Sequence, residues 1–456
     1  MSLNGRRLDC NPYLSGAFEA KVLLEKLHAK KKPLHELTQG GMKGIYHAGR
    51  EARNYVDDPK YGVPFLGSAS ILAADLSHLP LLSKKQVAAN PLLTIKEGWT
   101  LISRSGTVGR MAYVRPEMDG LACSEDVLRV VPNANKISAG FLYGYLSSKF
   151  GVPIITAGTY GAVIQHIEPH QIAELPVPIA PESLQSKIHH LITLSAEKRT
   201  QANELLKTAQ VILDEVIGLP HLPSHEEWRG YIATSSILKN VSRLDAFYYN
   251  PFAQTIEDLI ARQPKGFTTL EAITESVFDV PPFKHIYVEA ENGVPFFTSG
   301  DIFLLDRKTD KYLSKTQTRD LEKYILKQGW ILLARSGQLG GIIGRPQFAD
   351  SALDNAAASD HVIRIVPQPG KATAGFLYTY LSSPHIGYHL LTRTMSGASI
   401  PALWPKHLKQ IRIPLVSDRV QIQLDEIVTK AFRLRVEATS NEDEARLMVE
   451  NFIEQA

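Results

Sequence analysis

Cysteine is almost missing from this chain: Cys10 and Cys123 are the only two in 456 residues. They lie far apart, give neither a disulfide framework nor a metal-ligand spacing, and fit a reducing compartment. No apolar run approaches the roughly 18 residues that a membrane span needs. The start, Met1-Ser2-Leu3-Asn4-Gly5-Arg6-Arg7, lacks the apolar stretch of a secretion signal, so a cytoplasmic location is expected. Charge of one sign is also scarce: the formal net charge is +3, so any nucleic-acid binding must come from local patches rather than a global field. No Walker A segment and no Gly-rich strand-loop-helix for a nucleotide or S-adenosylmethionine occurs. No metal ligation is expected of the 15 histidines. These absences argue against a self-contained ATPase, methyltransferase or metalloenzyme, and no catalytic residues and no cofactor are assigned to the chain.

What is present is duplication. Ala139-Gly140-Phe141-Leu142-Tyr143 runs on through Tyr145-Leu146-Ser147-Ser148, and returns as Ala374-Gly375-Phe376-Leu377-Tyr378 through Tyr380-Leu381-Ser382-Ser383, with Gly144 against Thr379 as the one mismatch. A period this long marks a duplicated domain, not a solenoid unit. Other segments repeat in the same order. Arg7-Leu8-Asp9 with Asn11-Pro12-Tyr13 is answered by Arg243-Leu244-Asp245 with Asn250-Pro251-Phe252, and Val63-Pro64-Phe65 by Val294-Pro295-Phe296. Gly98-Trp99-x-Leu101-x-x-Arg104-Ser105-Gly106-x-x-Gly109 is answered by Gly329-Trp330-x-Leu332-x-x-Arg335-Ser336-Gly337-x-x-Gly340. The strand-like Val127 to Pro132 is answered by Val362 to Pro367, and Leu175 to Pro178 by Ile411 to Pro414. Short β-branched runs broken by Gly and Pro predict twisted sheets with hairpins, and the Phe-Leu-Tyr block predicts a short helix packed on each sheet. Trp99, Trp330, Phe141, Tyr143, Phe376 and Tyr378 are expected in the cores.

Each copy closes on a heptad pattern. Leu184, Ile188, Leu191, Ser195, Lys198, Ala202, Leu205, Ala209, Ile212 and Val216 fall at steps of four and three. Val420, Leu424, Ile427, Ala431, Leu434, Ala438, Asn441, Ala445, Met448 and Phe452 do the same. Such a/d stripes predict a coiled-coil seam, with Lys198 and Asn441 as polar interruptions that fix register. Each helix would be about 50 Å long. A rod of that length matches roughly 15 base pairs of DNA. The expected fold is α/β (α+β): two pseudo-twofold-related α/β domains, 1–181 and 218–416, joined by a long antiparallel two-helix coiled coil from 182–217 and 417–456.

Domain, long helix, domain, long helix resembles, over essentially the whole chain, the specificity (S) subunits of Type I restriction-modification systems. The Gly-Trp-x-Leu-x-x-Arg-Ser-Gly-x-x-Gly segments are similar to the Gly-Asp-Ile-Leu-x-x-Arg-x-Gly-x-x-Gly segment of their target recognition domains. Gly161 to Pro178 and Gly397 to Pro414 are similar to the segment that closes such a domain. Arg-Leu-Asp-x-x-Tyr-Tyr-Asn-Pro at 243 to 251 also recurs in such subunits. The resemblance implies a non-catalytic subunit in which each domain reads one half of a bipartite double-stranded DNA site. It implies partners: DNA adenine methyltransferase (M) subunits and restriction/translocase (R) subunits, which would carry S-adenosylmethionine, ATP and Mg. An S-like subunit of a Type IIB or IIG enzyme, and a coiled-coil scaffold without DNA, remain as alternatives.

Base edges are read by Arg, Lys, Asn, Gln, Ser and Thr, and phosphates by cations. Candidate DNA-binding residues are therefore polar ones in the expected loops, together with Arg104 and Arg335 of the shared Arg-Ser-Gly turns. In the first copy they are Lys43, Tyr46, His47, Arg50, Arg53, Asn54, Arg104, Thr159, Tyr160, Gln165 and His166. In the second they are Lys284, His285, Tyr287, Arg335, Arg393, Thr394, Ser396, Ser399 and Lys406. Asn11-Pro12-Tyr13 and Asn250-Pro251-Phe252 are similar to the Asn-Pro-Pro-Tyr/Phe motif that grips a flipped adenine. Each lacks the second Pro, and a turn ending a short segment is the expectation for both.

Overall fold

The computed structural model describes residues 16–105, 107–157, 166–218, 247–397 and 399–455. The chain forms two compact units: Met1–Thr200 with Glu437–Ala456, and Gln201–Val436. The first contains α1 (Ala17–Lys26), α2 (Lys84–Ala89), α3 (Ala139–Leu146), α4 (Gly151–Ala157), α5 (Pro169–Ala173) and the first half of α6 (Glu182–Ile217). The second contains the rest of α6, then α7 (Pro251–Ala261), α8 (Ala374–Ser382), α9 (Gly387–Arg393), α10 (Pro405–Leu408) and the first half of α11 (Asp418–Gln455). The division cuts both long helices across their middles rather than at their ends.

Within the first unit, β2 (Ile45–Tyr46), β9 (Val127–Val130), β6 (Thr100–Ser103) and β7 (Met111–Tyr113) lie side by side in that order. A second sheet has the order β3 (Tyr55–Val56), β5 (Leu81–Ser83), β4 (Gly62–Leu66), β8 (Ala122–Cys123), and β1 (Lys31–Pro33) pairs with β10 (Pro176–Pro178). The second unit repeats all three. Its sheets are β12 (Thr274–Phe278), β19 (Val362–Pro367), β16 (Ile331–Ala334), β17 (Pro346–Phe348); then β13 (Tyr287–Val288), β15 (Tyr312–Ser314), β14 (Gly293–Phe297), β18 (Ala357–Ala358); and β11 (Phe267–Thr269) with β20 (Arg412–Pro414). Register is reproduced: Leu101 faces Arg129 as Leu332 faces Arg364. All pairs are antiparallel except β4 with β8 and β14 with β18.

The Gly-Trp-x-Leu motif sits where strand alternation splits two cores. Ile102 packs into the core that carries the helices, while Leu101 points into a second core with Trp99 at its rim. Ile331 and Leu333 against Leu332 and Trp330 make the same split. A strand with both faces buried presents successive side chains to opposite sides, so every residue of the motif is needed. Gly98 (φ 82°) and Gly329 (φ 85°) begin it in the left-handed region, which side chains disfavour.

The Ala-Gly-Phe-Leu-Tyr block is a helix whose glycine sits against a long helix. A Cβ on Gly140 would lie 2.7 Å from the His189 Cα, and one on Gly375 2.4 Å from the Asp425 Cα. The Gly375 N–H donates to Asp425 Oδ1 at 2.7 Å. Each block also ties down the closing strand: Tyr145 donates to Pro176 O at 2.5 Å and Tyr380 to Arg412 O at 2.6 Å. Phe141, Tyr143, Phe376 and Tyr378 are buried, while Trp99 and Trp330 are only half-buried.

α6 and α11 pair antiparallel within each unit. In the first, Ser195 donates to Ala438 O at 2.7 Å and Lys198 meets Glu437 at 2.7 Å. In the second, Arg435 donates to Asn203 Oδ1 at 2.6 Å. The buried stripe departs from the heptad expectation. Ile192, Ala196, Arg199, Leu213 and Ile217 are buried, Leu191, Lys198, Leu205 and Ile212 only half-buried, and Val216 is 40% exposed. In α11, Val428, Phe432, Arg435, Val449 and Ile453 are buried, and Leu434, Met448 and Phe452 half-buried. The stripe from Ile188 to Ile217 follows the 3.6-residue period of a straight helix, about eight turns, instead of the 3.5 of a supercoil. Each helix half covers its own unit's core as well as the partner helix, so its apolar face is broad.

Candidate nucleic-acid interface

A continuous polar ridge forms in the first unit where β6, β9 and the strand β2 end. Arg104, the residue after β6, pairs with Glu168, which stands before α5 and also lies 3.5 Å from His47 Nε2. Ser105 Oγ donates to Asp126 Oδ1 at 2.9 Å and lies 2.9 Å from His166 Nδ1. Arg53 donates to Glu125 at 3.0 Å and to Ser124 Oγ at 3.2 Å, with Asp126 at 3.8 Å. Its guanidinium lies over the Phe65 ring, 5.1 Å from the centroid. Four expected residues, His47, Arg53, Arg104 and His166, thus come together from segments more than 100 positions apart. Burial, then the neighbouring Arg104, lowers the His47 pKa, so its ring is neutral near pH 7.

The second unit carries the same backbone with different side chains. Phe278 pairs with Arg364 as Tyr46 pairs with Arg129, so Asp279 occupies the place of His47. Leu403 N–H donates to Arg335 O as Ile167 N–H donates to Arg104 O, so Trp404 occupies the place of Glu168. Arg335 consequently takes its carboxylate from the other side: Asp279 Oδ2 lies 3.5 Å from its Nε, and its guanidinium lies over Trp404 at 5.1 Å. Trp404 Nε1 donates to Ser396 Oγ at 2.9 Å, and Ser396 and Ala402 exchange backbone hydrogen bonds. Ser399 and Ile400 are exposed at the tip of that hairpin.

Beneath each ridge lies a buried arginine that the sequence reading passed over as part of a strand. Arg129 donates to the carbonyls of Cys123, Ser124 and Val127, and Arg364 to those of Ala358, Ser359 and Val362. Both are 0% exposed. They hold the loop that presents Glu125 and Asp126, or Asp360 and His361. Desolvation lowers the Arg364 pKa to about 10, so it stays charged at neutral pH. A lone charge inside an apolar strand run, repeated in both copies, was the available signal. Glu168, Asp126 and Ser105, like Asp279 and Trp404, were not among the expected residues either.

The other expected residues are dispersed. Lys43, Arg50, Lys284, His285, Tyr287 and Lys406 are exposed. Asn54 is exposed too, its N–H donating to Gln86 Oε1 at 2.9 Å. Tyr46 is half-buried on the Trp99 edge, and its hydroxyl pKa is raised by burial. Arg393 corrects the expectation: it is 7% exposed, pairs with Glu257, donates to Tyr248 O and Gln254 at 2.8 Å each, and clamps α7. Thr394 donates its hydroxyl to Leu391 O at 2.7 Å, closing α9. Asn250 is a helix cap rather than the end of a segment, its Oδ1 accepting from the Phe252 N–H at 3.0 Å with Pro251 opening α7. Thr159, Tyr160, Gln165 and Asn11-Pro12-Tyr13 lie outside the described residues. His166 and His170, like His385 and His389, stand four apart, but no group of three His, Cys, Asp or Glu able to hold a metal ion occurs among the described residues. Nor, among them, is any helix long and apolar enough to cross a membrane.

Every cation on the two ridges that is at least partly shielded faces a carboxylate. These pairs are partly shielded, and a phosphate or base edge that displaced the carboxylate would have to replace its charge-assisted bond. The carboxylates are themselves able to accept from a cytosine amino group.

No family model and no curated protein matches the sequence. Among solved structures, the chain is similar to the S subunit of a Type I restriction-modification system from M. genitalium. Identity is 14%, the match covers 94% of this chain and 96% of that one, and the TM-score is 0.38. It is similar to the HsdS subunit from Thermoanaerobacter tengcongensis at 15% identity, with 93% and 96% covered and a TM-score of 0.28. A third, from work on complex assembly and conformational transition of the type I R-M system, shares 16% identity over 93% and 97%, with a TM-score of 0.29. Each of these three matches runs along nearly the whole of both chains.

Proposed function

We propose that this chain is the DNA sequence-specificity subunit of a Type I restriction-modification system. Each unit reads one half of a bipartite site, and the chemistry is done by adenine methyltransferase subunits docked on the chain. One observation carries the proposal. Two units with the same strand order and register present different side chains at one polar ridge: His47, Arg104 and Glu168 in one, Asp279, Arg335 and Trp404 in the other. A duplicated frame with divergent polar ends suits reading two different sequences, since base discrimination needs different donors and acceptors while phosphate contact does not. The order of motifs that resembles S subunits supports the same assignment.

The test is methylation mapping by single-molecule sequencing in cells carrying the chain with its methyltransferase partner. A two-part methylated sequence is expected. Replacing residues 1–181 with another recognition domain should change one half and leave the other. If neither half changes, the assignment is wrong.

A further inference from the structure

Most of what the two units share is buried, and packing explains it. A shared exposed arrangement needs another cause. β3 and β13 are edge strands of two residues each, Tyr55–Val56 and Tyr287–Val288, with matching register: Tyr55 faces Leu82 and Tyr287 faces Leu313. Both tyrosines are exposed, at 52% and 47%. Two positions earlier, on the same side of the chain, stand Arg53 and His285. Arg53 lies over Phe65, and His285 packs on Phe296 with ring centroids 4.7 Å apart. Phe65 and Phe296 are themselves equivalent, facing Ala122 and Ala357. The tyrosine ring completes each group, 6.1 Å from Phe65 in one and 6.1 Å from Phe296 in the other. The Tyr287 hydroxyl lies 3.3 Å from His285 Nδ1, and Arg53 stands at the matching place beside Tyr55.

We propose that Tyr55 with Arg53, and Tyr287 with His285, are equivalent contacts to the DNA phosphodiester backbone, one in each half-site. This rests on the DNA-reading assignment above and deepens it. Residues that read bases must differ between halves that read different sequences. Residues that touch phosphate meet the same group in both, and have reason to stay alike. A hydroxyl and a nitrogen donor on a rigid edge suit a phosphate oxygen, while the apolar Phe below holds the donor in place. Arg53 also joins the group to the ridge, through Glu125 and Asp126. The tyrosines do shield Phe65 and Phe296, but shielding needs only the ring.

The experiment uses the full chain assembled with its methyltransferase partner and a duplex carrying the methylated sequence found by mapping. Tyr55→Phe and Tyr287→Phe keep the ring and remove the hydroxyl; Arg53→Gln removes the guanidinium charge, and His285→Leu removes the ring nitrogens. Each should weaken binding about three- to tenfold, with the methylated sequence unchanged and the same thermal unfolding midpoint. Arg53→Gln should also reduce the slope of log affinity against log salt by about 1. Unchanged affinity in all four variants, or a changed methylated sequence in any, overturns the backbone assignment. A parent assembly that binds no DNA overturns the proposed function instead.

Discussion

The Nδ1 atom of His189 accepts the backbone N–H of Gly140 at 3.1 Å. An imidazolium has no lone pair to accept with, so this bond requires the neutral ring. Burial, then His190 beside it, lowers the His189 pKa below its ordinary 6.5. A folded-state value below the unfolded one means that the unfolded chain binds the proton more readily. The stabilisation is present above about pH 6.5 and is lost as pH falls below it. His189→Asn keeps an acceptor that does not titrate. The unfolding midpoint of the native chain should drop more between about pH 7.5 and 5.5 than that of the variant. Parallel profiles would show that this contact does not titrate with folding.

Glu442 is buried in the first unit and is held by Arg199, Arg446 and the Tyr143 hydroxyl. Burial alone would raise its pKa, but the two arginines and the bonds outweigh it and lower the value to about 2. The stability it contributes is therefore present above about 4.5 and lost as pH falls toward 2. Glu442→Gln takes the carboxylate from the buried Arg199, while Arg446 keeps Asp443 at 2.8 Å, and should cost roughly 3–5 kcal/mol in denaturant unfolding. At the corresponding places the second unit has Leu206, Gln210 and Asn203 around Arg435. Glu442→Leu with Arg446→Gln and Thr439→Asn copies that arrangement, and should recover much of the loss.

Glu168, before α5, and Asp279, after β12, restrain the two ridge arginines from different elements. Glu168→Gln should alter the methylated sequence in one half-site only, and Asp279→Asn in the other only. A discrimination change of about 1–3 kcal/mol per base is expected. Methylation mapping of both variants reads this directly, and a change in both halves from one substitution would refute the division of labour.

Arg393 was expected at the DNA and stands in the interior instead. Arg393→Met should lower unfolding stability by roughly 3 kcal/mol, since Glu257 loses its partner in a half-buried place. The methylated sequence of the remaining folded protein should stay the same. A new sequence specificity would return Arg393 to the interface.

The fold was legible because its signals are local. Gly98 and Gly329, Gly140 and Gly375, and the Pro-flanked strands each fix a backbone shape or a close approach that few other residues allow. The long helices were legible for the same reason, but their buried faces were drawn one residue off toward Val216 and Phe452. A heptad template assumes a helix whose only neighbour is another helix, and these also cover a globule. The ridge was half legible. Arg53, Arg104, His47 and His166 show as polar residues near glycine turns. Their acidic partners do not, because Glu168 meets Arg104 across 64 positions and only tertiary structure joins them. Arg393 misled for the mirror reason: a basic residue beside a Gly-Ser loop looks exposed until α7 is placed against it.

The core of the first unit is closed by residues about 300 positions further along the chain. Ala445, Val449 and Ile453 belong to the core built around Leu34, Phe141 and Ile188, whereas the large core cluster of the second unit, among the described residues, is drawn from within 201–436. On the ribosome, the second unit has all its pieces while the first still waits, with an apolar groove open along α6. Residues 437–455 act as a latch on the core of the first unit. A stop codon after Val436 would therefore injure not the neighbouring unit but the one that left the ribosome first.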